Sequence, residues 1–151
     1  MTLAFIQRLA GDTAGAKVTA EQARDTLEPI YRDQPDRAVS AELAATLSGA
    51  YAAMGEKDSA LAAAERAMML LPGTKDAADA PACHENEALI QTIFGDNSRA
   101  IATLRQLLQT PYFSWLYGPG VLTPALLRLD PIWDPLRGDP VFQKLCEQKQ
   151  K

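Results

Sequence analysis

The chain contains one histidine, His84, among its 151 residues. Nucleophilic catalysis by a serine or cysteine with an imidazole base therefore has a single position to build on. Cysteine is nearly as scarce: Cys83 and Cys146 stand far apart with no CxxC pairing, so neither a zinc site nor a redox motif is suggested. No glycine-rich loop follows a strand pattern, which removes the usual phosphate cradle. Basic residues are not concentrated either. Fifteen Lys and Arg against 19 Asp and Glu give a formal charge of −4, and no basic stripe exists, so nucleic acid is not an expected partner. The longest early apolar stretch, Leu3 to Ile6, falls far short of the roughly 20 residues of a membrane helix. No charged segment and cleavage site frame a signal peptide, and direct membrane insertion is not expected. Two cysteines without a disulfide pattern fit a reducing compartment.

What is abundant is alanine. Apolar residues make up 47% of the chain, and because so many are alanine the composition favours helices over strands. The length suits one ordinary domain with its own core. The clearest internal unit runs from Ala41 to about Thr74. Its first helix carries Leu43, Leu47, Ala50, Tyr51 and Met54 at helical spacing, and Gly55 is placed to end it in a left-handed conformation. Asp58 is the expected N-cap of a second helix whose buried face is Ala60, Leu61, Ala64, Ala67, Met68 and Leu71, ended by Pro72.

Setting Ala100 on Ala60 places Gly95 on Gly55, Ala88 on Ser48 and Leu104 on Ala64. Setting Ala16 on Ala60 places Gly11 on Gly55, Leu3 on Leu47, Ala4 on Ser48 and Ala20 on Ala64. The three alanines are 44 and 40 residues apart. Three helical hairpins are expected, over residues 1–35, 41–74 and 81–111. The first begins part-way through its opening helix, which suggests a fragment. Pro29 predicts either a kink with continuation to about Asp33 or a break at Glu28.

The middle unit resembles the tetratricopeptide repeat, a pattern of Trp, Leu, Gly, Tyr, Ala, Phe and Pro over about 34 residues. Leu47, Tyr51, Ala60 and Pro72 match it, while small residues Ala44, Ser48 and Ala64 hold the Trp, Gly and Phe slots. The resemblance implies an all-α solenoid of helical hairpins, with a protein or peptide bound in a concave groove. Carried onto this chain, the groove is lined by Glu42, Ala45, Gly49 and Ala52 in one unit and by Ala82, Glu85, Leu89 and Thr92 in the next. The Lys and Asn pattern with which some members clamp a C-terminal carboxylate is absent.

Residues 112–151 read as a C-terminal cap of short helices. Thr123-Pro124, Asp130-Pro131, Asp134-Pro135 and Asp139-Pro140 each offer a capping residue followed by a proline suited to the first helical position. Trp133, Leu136, Phe142 and Leu145 are expected to cover the last hairpin. The run LTPALLRLDPIWDPLRGDPVFQKL resembles the endings of helical-repeat regions in large bacterial signalling proteins. This implies a piece of such a parent, cytoplasmic or, if the parent is membrane-tethered, extracytoplasmic.

Two local features invite chemistry. His84 and Glu87 share a helix face and could meet one metal ion, although acidic residues at a helix N-terminus beside a solvated histidine explain the same pattern. His84, Glu87 and Gln91 also take the slots where the repeat places Trp, Leu and Tyr. The aromatic run Tyr112, Phe113, Trp115 and Tyr117, before Gly118-Pro119-Gly120, is either a set of binding anchors or a connection tucked onto the core. The expected function is thus an interaction module or scaffold without enzymatic activity, cofactor or metal. The alternative is a structural spacer or homo-oligomerising arm.

Overall fold

The computed structural model describes residues 2–34, 36–72, 79–117 and 121–148. Thr74 and Gly118-Pro119-Gly120 lie outside them. All regular structure among the described residues is helical. The chain packs as two compact units, residues 1–72 and residues 73–151.

The first unit holds α1 (Thr2–Leu9), α2 (Thr13–Asp33), α3 (Arg37–Met54) and α4 (Lys57–Leu70). α1 packs on α2 and α3 on α4, and α2 and α3 join the two hairpins. Alanines permit this close packing. Ala4, Ala20 and Ala53, from three different helices, form one buried cluster closed by Met54. α2 runs unbroken past Pro29, so the chain continues to Asp33 rather than breaking at Glu28. The proline cannot donate to the carbonyl four residues back, and the helix tolerates that loss near its end. α3 starts earlier than expected, at Arg37, because the Asp36 side chain accepts hydrogen bonds from the backbone of Ala38 at 2.9 Å and Val39 at 3.0 Å.

The second unit contains α5 (Ala80–Ile93), α6 (Asn97–Leu107), α7 (Pro124–Leu129), a 3₁₀ helix (Pro131–Leu136) and α8 (Pro140–Cys146). The 3₁₀ helix packs on both α5 and α6, and α8 packs on α6 and α7. Trp133, Leu136, Phe142 and Leu145 are all buried. Three of the four proline starts behave as expected. Thr123, Asp130 and Asp139 cap their helices with side-chain acceptors at 3.1, 2.9 and 2.7 Å. Asp134-Pro135 does not start a helix; it lies inside the 3₁₀ helix, where Asp134 binds the Arg137 guanidinium at 2.5 Å.

The hairpin turns repeat in atomic detail. Gly11, Gly55 and Gly95 have φ of 83°, 83° and 79°, and among the described residues no others have positive φ. The amide of each glycine bonds the carbonyl three residues back: Arg8 at 3.0 Å, Ala52 at 3.1 Å and Thr92 at 3.2 Å. The next amide reaches five residues back, to Gln7 at 2.9 Å, Tyr51 at 2.9 Å and Gln91 at 2.8 Å. These pairs form the Schellman motif that satisfies the orphan carbonyls of a helix end. Asp12, Glu56 and Asp96 follow with φ near −82° and ψ of 73°, 79° and 60°, and their carbonyls accept from Ala16, Ala60 and Ala100 at 3.0, 2.9 and 3.1 Å. The N-cap of α4 is therefore Glu56, while Asp58, expected in that role, sits in the first turn. Those three alanines are buried, as are Ala4, Ser48 and Ala88 and also Ala20, Ala64 and Leu104. The internal register read from the sequence holds at all these positions. Leu3 departs from it: it is exposed, whereas its counterpart Leu47 is buried.

A side chain built on Gly55 meets nothing within 4 Å, so only the backbone conformation resists substitution. Gly55→Val should lower stability by more than about 1 kcal/mol, because a β-branched residue is poorly tolerated at that φ. Gly138 is equally uncrowded and lacks a positive φ, so Gly138→Ala should leave the urea midpoint nearly unchanged. Equal midpoints for both variants would contradict the turn's role.

Candidate functional site

Of the eight residues expected to line a groove, Glu42 alone is exposed, and Ala45, Gly49, Ala52, Ala82, Glu85, Leu89 and Thr92 are buried. The expectation that Ala45 and Ala52 face solvent is therefore corrected. Buried positions run round most of α3 and α5, so both helices are enclosed rather than displayed.

Glu85 has a different setting from the one expected. Its carboxylate is buried and accepts hydrogen bonds from the Tyr112 hydroxyl at 2.8 Å and the Ser114 hydroxyl at 2.7 Å. Ser114 Oγ in turn accepts from the backbone amides of Leu116 at 3.1 Å and Tyr117 at 2.9 Å. The Tyr117 hydroxyl accepts from Trp133 Nε1 at 2.8 Å. This chain of bonds fastens the aromatic segment to α5 and to the 3₁₀ helix. Tyr112 is thus buried and Tyr117 half-buried, while Phe113 remains exposed. Burial pushes the Glu85 carboxyl above the usual carboxylate range, against the lowering effect of its two hydroxyl donors. Burial also raises the Tyr112 and Tyr117 phenols. Every group here is occupied by another, which describes a structural staple. No local pattern announces it, since its partners lie 27 and 29 residues away.

His84 and Glu87 do share a face, with His84 Nδ1 3.8 Å from Glu87 Oε2. The other Glu87 oxygen accepts from Gln91 Nε2 at 2.9 Å. No group of three or more His, Cys, Asp or Glu able to hold a metal ion exists among the described residues. The pair is a local contact along α5, with Gln91 turned inward.

An open site lies in the first unit, where α2, α3 and α4 border a cleft of about 500 Å³. Ala44, Leu47, Ala62 and Ala63 give it an apolar lining, and Glu28, Tyr31, Arg32, Tyr51 and Arg66 contribute the polar groups. Small side chains leave the space unfilled. Tyr51 donates to Glu28 Oε1 at 2.5 Å, and Arg66 Nε donates to the Tyr31 hydroxyl at 3.3 Å. Burial, followed by the bond to Glu28, pushes the Tyr51 phenol up to about 12, so it stays a hydrogen-bond donor at neutral pH. Leu47 and Tyr51 were legible as part of the repeat. Glu28, Tyr31, Arg32 and Arg66 were not, because only folding brings Tyr31 to Arg66, 35 residues on. An apolar cleft with a few convergent polar groups is the usual form of a ligand site.

No protein-family model matches the chain, and no curated protein or solved structure does.

The staple predicts a signed pH dependence. With its folded-state carboxyl above the ordinary value of 4.5, Glu85 binds protons more readily when folded. The stability it contributes therefore rises as pH falls from neutral towards that value. Urea unfolding should show wild type gaining stability relative to Glu85→Gln over that interval. Tyr112→Phe should cost about 2 kcal/mol at pH 7, because it leaves a buried oxygen of Glu85 without its donor. A wild-type–Gln difference that is flat or shrinks as pH falls would contradict the assignment.

Proposed function

We propose that the chain is a helical-repeat interaction module that binds a segment of another protein, and that its three hairpins are degenerate units of tetratricopeptide type. The observation that supports this best is the turn repeated at Gly11, Gly55 and Gly95 with the same hydrogen bonds each time. Recurrent turns make one supersecondary unit repeat, and stacked units of that kind characteristically present extended binding surfaces. The resemblance of the last quarter to endings in bacterial signalling proteins supports a parent of that type. No helix among the described residues is long and apolar enough to cross a membrane.

The binding site in this reading is the cleft bordered by α2, α3 and α4. It replaces the groove expected from the resemblance, whose residues are mostly enclosed. No catalytic role is assigned to any residue. Glu85 is held on both oxygens by structural partners, and His84 faces Glu87 without a nucleophile.

One observation favours the alternative of an oligomerising arm. Leu3, Ile6 and Leu9 recur every third residue along α1 and are 58%, 56% and 52% exposed. Such a stripe suits helix-to-helix association.

Selection of displayed random peptides on the full chain separates the two readings. The module reading expects selected peptides to lose at least about tenfold in affinity, some 1.4 kcal/mol, when Ala63→Trp fills the cleft. Leu129→Ala, at an exposed position in the second unit, should leave them bound. Binding indifferent to Ala63→Trp removes the cleft. Failure to select any peptide, together with concentration-dependent light scattering abolished by Ile6→Glu, transfers the conclusion to the arm.

A further inference from the structure

We infer that the cleft selects an acidic peptide segment, holding its carboxylates with the guanidinium groups of Arg32 and Arg66. The inference rests on the interaction-module reading and adds the chemistry of the ligand.

Charge carries the argument. Residues 1–72 bear ten Asp and Glu against seven Lys and Arg, so basic side chains have carboxylates to spare. Others take them: Arg24 meets Asp25 at 2.8 Å, and Lys17 meets Glu21 at 4.0 Å. Arg32 forms no ion pair or hydrogen bond among the described residues and stands exposed at the rim of the cleft. Arg66 uses one N–H, to a neutral phenol. Each guanidinium has five N–H donors in a planar fork that matches a carboxylate in two places. Both therefore retain most of their bonding capacity where they border the cleft.

The lining sets two guanidinium groups, Arg32 and Arg66, against one carboxylate, Glu28, and so keeps an excess of positive charge. Glu28 is engaged by the Tyr51 hydroxyl, whose raised value keeps that bond in place at neutral pH. Its remaining oxygen can accept a backbone amide from an extended peptide. The apolar lining is made of short side chains, Ala44, Ala62 and Ala63, with Leu47. The matching segment carries Asp or Glu among small or aliphatic residues. A basic segment would set its charges against Arg32 and Arg66 and is disfavoured by the same geometry.

The test uses the full chain with isotopic label and three capped hexapeptides that differ at two positions: acetyl-Ala-Glu-Ala-Leu-Glu-Ala-amide and its Gln and Lys counterparts. The Glu peptide should shift the backbone amides of Ala44, Ala62 and Ala63 and bind at least about tenfold more tightly than the Gln peptide, more so at low salt. Arg32→Gln with Arg66→Gln should erase the difference between them, while Lys17→Gln preserves it. Unchanged amide spectra outside the cleft report that the variants remain folded. If the Gln peptide binds as tightly and shifts the same amides, the cleft is a binding site and its acid selectivity is overturned. If none of the three peptides moves those amides, selectivity and the cleft reading both fall.

Discussion

A left-handed glycine between two helices is the constraint on which the rest of the chain depends. At Gly11, Gly55 and Gly95 the backbone takes the same positive φ and closes the same two hydrogen bonds, and the following acidic residue starts the next helix. A turn that tight fixes the angle at which the second helix returns, and hence which residues of the pair meet. The buried alanines at 16, 60 and 100 follow from it, because each occupies the same place one turn into the returning helix. Side chains larger than alanine there would hold the helices apart.

Close packing has two consequences for function. It encloses α3 and α5 so fully that residues expected on an open face are internal. It also leaves gaps where short side chains face one another, and the cleft beside Ala44, Ala62 and Ala63 is such a gap. The second unit meets its needs differently. There a buried carboxylate, two hydroxyls and an indole join the aromatic segment to the helices, and proline-led short helices cover the hairpin with Trp133, Leu136, Phe142 and Leu145.

The helices, the glycine turns and three of the four proline starts were legible in the sequence because each rests on a local rule. Spacing exposes an apolar face, glycine alone takes the left-handed turn without strain, and proline fits the first helical turn. Asp58 misled because a capping residue near a helix start looks the same one or two residues out of place. The groove residues misled for a deeper reason: small apolar side chains on a helix suit a binding face and a packed core equally. Glu85 read as a surface carboxylate because its partners, Tyr112 and Ser114, are distant along the chain. Arg32 and Arg66 carried no local signal, since an arginine bordering a cleft is recognised only when its neighbours in space are known.

A crystal structure of the full chain with a selected peptide segment tests the central claim most directly. The account predicts the segment lying in the cleft between α2, α3 and α4, in contact with Tyr31 and Arg66. A segment seated on any surface away from that cleft, with Tyr31 and Arg66 left in solvent, would contradict it.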